Sequence, residues 1–119
     1  MHYVDGFLIP LPKKNIKMYR RMAEFGKKTW MKHGALDYKE CLADDLKNPM
    51  GAPLNKILKF KPGETAVFAY IVFKSRKHRD SVNTKVMSDP AMNDPEMMKK
   101  MPFDMKRVCY GGFKVIVEA

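Results

Sequence analysis

The stretch Thr65–Lys74, TAVFAYIVFK, is apolar at nearly every position. A strand with one face in water shows a polar residue at every second position, so this run demands cover on both faces. It predicts the central strand of a sheet, and any fold for the chain must roof that sheet twice.

The flanking sequence supplies the other elements. Residues 2–9 are β-rich and bounded by Pro10 and Pro12, which predicts a first strand. From Pro12 to His33 the period changes. Wound as a helix, Ile16, Tyr19, Ala23, Gly26 and Trp30 share one narrow arc, while Lys14, Lys17, Arg21, Lys28 and Lys32 gather opposite. Gly34 follows where a left-handed cap is expected. Residues 35–43 predict a second strand with Leu36, Tyr38 and Leu42 on one side. Residues 44–64 hold three prolines and two glycines and form a long connection, with one helical turn around Leu54, Ile57 and Leu58. Connections of this length often cover something. After the apolar run, Ser75 offers an N-cap to a helix whose inward stripe is Val82 and Val86. Asp89-Pro90 and Asp94-Pro95 each read as a cap followed by Pro at the first helical position. Pro102 ends these short helices, and residues 107–118 form the last strand, with Gly111-Gly112 marking a bulge or a close backbone approach.

The order β-α-β-β-α-β is the ferredoxin-like α+β arrangement, an antiparallel four-stranded sheet with strands one and three central. At 119 residues the chain fits one domain, 1–119. Two helices cover one sheet face only. A second copy of the same sheet is the simplest roof for the other, since most oligomers are symmetric homodimers.

Composition narrows the function classes. Lys and Arg outnumber Asp and Glu by 23 to 13, a net charge of +10, which draws anions to the surface without choosing among them. Cys41 and Cys109 make no CxxC or zinc spacing and fall on opposite edge strands, so buried or half-buried free thiols are expected. No apolar run approaches the ~20 residues of a membrane span. The start of the chain lacks a basic segment and carries Asp5 in its apolar stretch, unlike a signal peptide. These readings favour a cytoplasmic protein with no membrane partner. The eleven methionines suit irregular packing.

Tyr3-Val4-Asp5-Gly6-Phe7, Trp30 with His33-Gly34-Ala35-Leu36, Lys74-Ser75-Arg76 with Arg79-Asp80 and Asn83, Val86-Met87, Met101-Pro102-Phe103-Asp104, Lys106-Arg107 and Tyr110-Gly111-Gly112-Phe113 occur in that order. On these motifs the chain resembles, over essentially its whole length, the YbaA-like family of small bacterial proteins of unknown function. The resemblance implies the dimeric α/β-barrel superfamily, in which two ferredoxin-like sheets pack face to face. Relatives there include cofactor-independent monooxygenases, haem-degrading enzymes and isomerases, several with a site between sheet and helices. The family pattern has a tryptophan near position 70, where this chain has Tyr70.

Candidate ligand-binding residues follow from both readings. Trp30 and His33 end the first helix, and haem-degrading relatives place Trp, His and Asn around their ligand. A core Trp and a His capping helical carbonyls is the plainer account. His78, Arg79 and Asn83 flank the thin apolar stripe of the second helix and need partners, which Asp5 or Asp104 beside Arg107 can supply. A purely structural Arg–Asp network is the competing account. Arg76, Arg79 and Arg107, with Lys85 and Lys106, offer forks for a carboxylate or phosphate. No HExxH, GxSxG, phosphate loop, flavin motif or metal spacing is present, so no cofactor is expected.

Three functions compete. The first is a homodimeric small-molecule-binding protein for an anionic or aromatic ligand, an oxygenase-like or isomerase-like enzyme if it reacts. The second is a structural or regulatory dimer without ligand. The third, RNA binding, suits the topology and charge, but the third strand lacks the basic-Gly-aromatic signature of the RNA-recognition module.

Overall fold

The computed structural model describes residues 1–47 and 50–119, side chains of Met97 and Met98 excepted. Asn48 and Pro49 of the long connection lie outside the described residues. The chain runs β1 (Tyr3–Pro12), α1 (Ile16–Lys32), β2 (Asp37–Leu42), a single turn α2 (Leu54–Ile57), β3 (Glu64–Phe73), α3 (Arg76–Met87), α4 (Pro95–Lys99) and β4 (Cys109–Lys114). The strands form one antiparallel sheet in the order β2-β3-β1-β4. This is the ferredoxin-like α+β topology, with β3 and β1 central. The sheet is open and does not close on itself.

Local chemistry fixes the helix ends. The Ser75 hydroxyl accepts the His78 backbone N–H. Asp89, Asp94 and Asp104 accept from Ala91, Glu96 and Lys106, each opening a short helical turn. Gly34 takes φ +114 just past α1, a conformation that a Cβ would strain.

The covered face of the sheet carries Val67, Ala69, Ile71 and Phe73 of β3 and Ile9 and Leu11 of β1. They pack in two clusters. One sits with Tyr19 and Ala23 of α1, the other with Val82 and Val86 of α3, and Phe7 touches both. Each fully buried aliphatic or aromatic side chain contributes roughly 2 kcal/mol of burial.

On the opposite face the register lines up Val4, Leu8, Phe68, Val72 and Phe113 with Cys41 and Cys109. Within one chain this face is uncovered: Phe68 is 48% and Phe113 60% exposed. Both cysteines are exposed rather than buried, because their edge strands turn them to this side.

Three strand boundaries differ from expectation. β1 does not stop at its prolines but runs through Pro10 and Pro12, paired with Ala66 and Glu64 of β3. β4 pairs with β1 only from Tyr3 to Leu8, so no strand calls on the amides of the β1 flank beyond it, which tolerates residues without an N–H. β4 ends at Lys114 rather than near Glu118, because it is an edge strand whose only partner begins at Tyr3; Ile116 and Val117 are exposed. β2 begins at Asp37, leaving Leu36 before it. The Gly111-Gly112 pair continues the ladder without a bulge. A Cβ on Gly112 would collide with the Tyr3 hydroxyl and come within 3.0 Å of Arg79 Nη1, so close approach is its role.

Candidate functional site

Polar side chains of α3 converge on one buried carboxylate. Asp5 on β1 is 1% exposed. Arg79 donates from Nη1 to Asp5 Oδ1 at 2.7 Å and to the Tyr110 hydroxyl at 2.9 Å, and from Nε to Asp80 at 2.7 Å. Its guanidinium lies 5.0 Å from the Tyr3 ring centre. Asn83, one turn on, donates to Asp5 Oδ2 at 3.4 Å and accepts the Trp30 indole N–H at 3.0 Å. Arg79 and Asn83 sit at i, i+4 beside Val82 and Val86, which explains how a helix with so thin an apolar stripe still packs. Among the described residues, no buried side-chain nitrogen or oxygen lacks a partner. The network satisfies itself.

The remaining candidates lie elsewhere. His33 places Nε2 2.8 Å from Asp89 Oδ2 instead of capping carbonyls with its ring. This hydrogen bond and that from the Ala91 N–H hold the Asp89 carboxyl down, at about 2. His78 accepts the Lys74 N–H on Nδ1 at 3.0 Å, away from Asp5. Burial, with Lys74 and Lys85 nearby, depresses its pKa. Arg76 is exposed beside His2, Tyr3 and Lys114. Tyr70 is on the uncovered face, its ring 5.9 Å from Phe68. Asp104 is a cap, not a partner of α3. Arg107 grips Glu64 with two nitrogens at 2.6 and 2.9 Å and holds the Leu58 and Lys59 carbonyls. It pins the long connection to the start of β3. The arginines therefore do not assemble one anion fork; each has its own task.

The space between sheet and helix is a different place. A cavity of about 310 Å³ lies between the covered sheet face and α1, flanked by the segment between α3 and β4. Phe7, Ile9, Ala69, Ile71, Phe103 and Val108 give apolar walls, with Met22, Met92, Met101 and Met105 filling the irregular parts. Of the candidates read from the sequence, Trp30 alone lines it. Its polar end is built on β2. Glu40 accepts the Tyr19 hydroxyl at 2.5 Å and the Tyr38 hydroxyl at 2.7 Å. Burial, reinforced by Glu40, pushes both phenols above their ordinary pKa. The same three residues border an outer groove of about 450 Å³ lined also by Arg20, Glu24, Lys27 and Lys39.

Residues 2–105 match the family described as "Protein of unknown function (DUF1428)". The chain belongs to this family. It is 38% identical over 118 residues to "Uncharacterized protein YbaA" of Escherichia coli (strain K12), covering 99% of each chain, and equally to that of Shigella flexneri. Neither family nor relatives carry a stated activity, so the DUF1428 fold must be read through its own geometry.

In this DUF1428 chain the cavity residues that sequence reasoning missed are Tyr19, Tyr38 and Glu40. A signal existed. Tyr38 and Glu40 are two apart on a strand and must share a face, and Tyr19 lies on the inward arc of α1. A carboxylate aimed beneath a helix needs donors, and two phenols were at hand. Among the described residues, no three of His, Cys, Asp or Glu gather as a metal site, and no helix is long and apolar enough to cross a membrane.

Proposed function

We propose that this chain is a homodimeric small-molecule-binding protein whose ligand, an aromatic or otherwise apolar molecule, occupies the cavity beneath α1. The carrying observation is the cavity itself. About 310 Å³ of apolar space with a few convergent polar groups is the form that small-molecule sites take. Well-packed interiors hold few voids larger than a water molecule. Methionine walls adapt to a guest.

The dimer rests on the uncovered sheet face. Val4, Leu8, Phe68, Val72 and Phe113 lie together there, an apolar surface of the kind that marks an association site. Aliphatic side chains on β1 suit a second sheet better than stacked RNA bases, which call for aromatic platforms on both central strands.

Thermal-shift titration with 1-naphthylmethanol tests the cavity. The expected result is a saturable rise, equivalent to about 2.7 kcal/mol at one hundred times the dissociation constant. It should vanish in A69L, which fills the cavity from β3. An unchanged response in A69L, or none in wild type, would place the function elsewhere. Sedimentation velocity tests the dimer, with F68K and F113K expected to yield monomers whose Cys41 and Cys109 react faster with a thiol reagent than in wild type. A wild-type monomer at high protein concentration would sink the pairing.

A further inference from the structure

The cavity's remaining hydrogen-bonding capacity is one-sided. Its polar lining consists of Tyr19, Tyr38, Glu40 and the Trp30 indole. Each of their protons is already committed: the two hydroxyls donate to opposite oxygens of Glu40, and the indole N–H donates to Asn83. What is left accepts. A carboxylate offers about four lone-pair sites, of which the tyrosines use two, and each phenol oxygen keeps lone pairs of its own. The raised pKa of both phenols keeps those protons in place.

Glu40 also has no ion-pair partner among the described residues. Of the cations of the neighbouring groove, Lys27 pairs with Glu24 and Lys39 with Asp37, both at 2.7 Å, while Arg20 lines the groove but not the cavity. The cavity end is thus an acceptor site built on a carboxylate that two phenols already bond. Inside the cavity, whose lining holds no lysine or arginine, an incoming carboxylate or phosphate would find no uncommitted side-chain donor and would face Glu40. The sequence expectation of an anionic ligand drew on arginines that lie outside this space, Arg79 being committed to Asp5 and Arg107 to Glu64.

From this geometry we infer that the ligand is an apolar, ring-sized molecule whose head donates a hydrogen bond to Glu40, a hydroxyl or an ammonium, and that anions are refused. The inference rests on the cavity being the binding site proposed above.

Three probes with one ring system separate the two claims: 1-naphthylmethylamine, 1-naphthylmethanol and 1-naphthoate, titrated calorimetrically. Amine and alcohol should each bind at least about ten-fold tighter than naphthoate, the scale of one hydrogen bond to a charged group. E40Q, whose amide brings a donor and removes the charge, should shrink that ratio towards one. Y38F, which frees a further lone pair on Glu40, should preserve the order and guards against misfolding of E40Q. Naphthoate binding as tightly as the others, or a ratio untouched by E40Q, overturns the donor-head inference and leaves the cavity reading standing. Binding of none of the three overturns the cavity reading itself.

Discussion

Gly26 on α1 offers a substitution whose sign reverses with its neighbour. A Cβ there would lie 2.9 Å from the Tyr38 hydroxyl oxygen, yet 3.8 Å from Tyr38 Cζ and from the Trp30 ring. Mid-helix, Gly→Ala gains about 1 kcal/mol of helix propensity. Against that stands displacement of the Tyr38 hydroxyl, an overpacking cost of about 1–3 kcal/mol. Weakening its hydrogen bond to Glu40 adds about 1.5 kcal/mol or more. G26A should therefore destabilise the wild-type protein by about 1.5–3.5 kcal/mol. In a Y38F background the obstructing oxygen is gone, the nearest ring atom is at ordinary contact distance, and G26A should stabilise by about 0.5–1 kcal/mol. Urea unfolding followed by circular dichroism on the four proteins of the cycle reads both signs. A G26A effect of the same sign and size in both backgrounds would refute the close packing of α1 against Tyr38, and with it the closed polar end of the cavity.

Removing Asp5 takes from the half-buried Arg79 its buried partner and leaves it only exposed Asp80 and the Tyr110 hydroxyl. D5A should destabilise in chemical denaturation, and D5A/R79M should recover part of the loss, because the cost lies in a half-buried guanidinium deprived of its buried partner; an additive double mutant would contradict this. Arg107 clamps the long connection through a two-nitrogen grip on Glu64, so R107K should lower stability, measured in the same way, and speed proteolysis near residues 58–64. His78 and Asp89 both contribute to the acid limb of stability, alongside Glu24, Asp37 and Glu64. The native pKa of His78 is depressed, so the unfolded chain protonates first and stability falls as pH drops below about 6.5, levelling once the native imidazole titrates. Asp89, at about 2 against an ordinary 3.8, contributes stability that is full above that ordinary value and lost on approach to pH 2. H78N and D89N should each flatten their own part of a stability–pH curve measured by thermal melting.

The fold was legible where sequence pattern and physics coincide. The doubly apolar run of β3 located the centre of the sheet, the inward arc from Ile16 to Trp30 defined α1, and Ser75, Asp89 and Asp94 announced helix starts that their side chains do cap. Boundaries were harder, because they depend on partners. Pro10 and Pro12 break a strand only where a neighbour needs their missing N–H, and β4 stops where β1 has no more residues to offer. The candidate residues divided for a similar reason. Asp5, Arg79 and Asn83 do come together, as helical spacing and the need for partners implied, and Trp30 joins them through Asn83; Asp104, His78 and Tyr70 have local neighbours instead, while His33 and Arg107 found partners far along the chain. The cavity was not legible, since a void is defined by what five separate segments fail to fill. Glu40 looked like an ordinary edge-strand residue until Tyr19 and Tyr38 were seen to meet on it.

The two prolines of β1 bear on how copies of this protein can meet. Because the ladder to β3 continues through Pro10 and Pro12, the donors they lack belong to the outward flank, where β4 has ended. An intruding strand would find no amide protons at either position along that stretch, so extension of the sheet by side-on zippering is blocked there. Two missing hydrogens thus close that part of the sheet to growth.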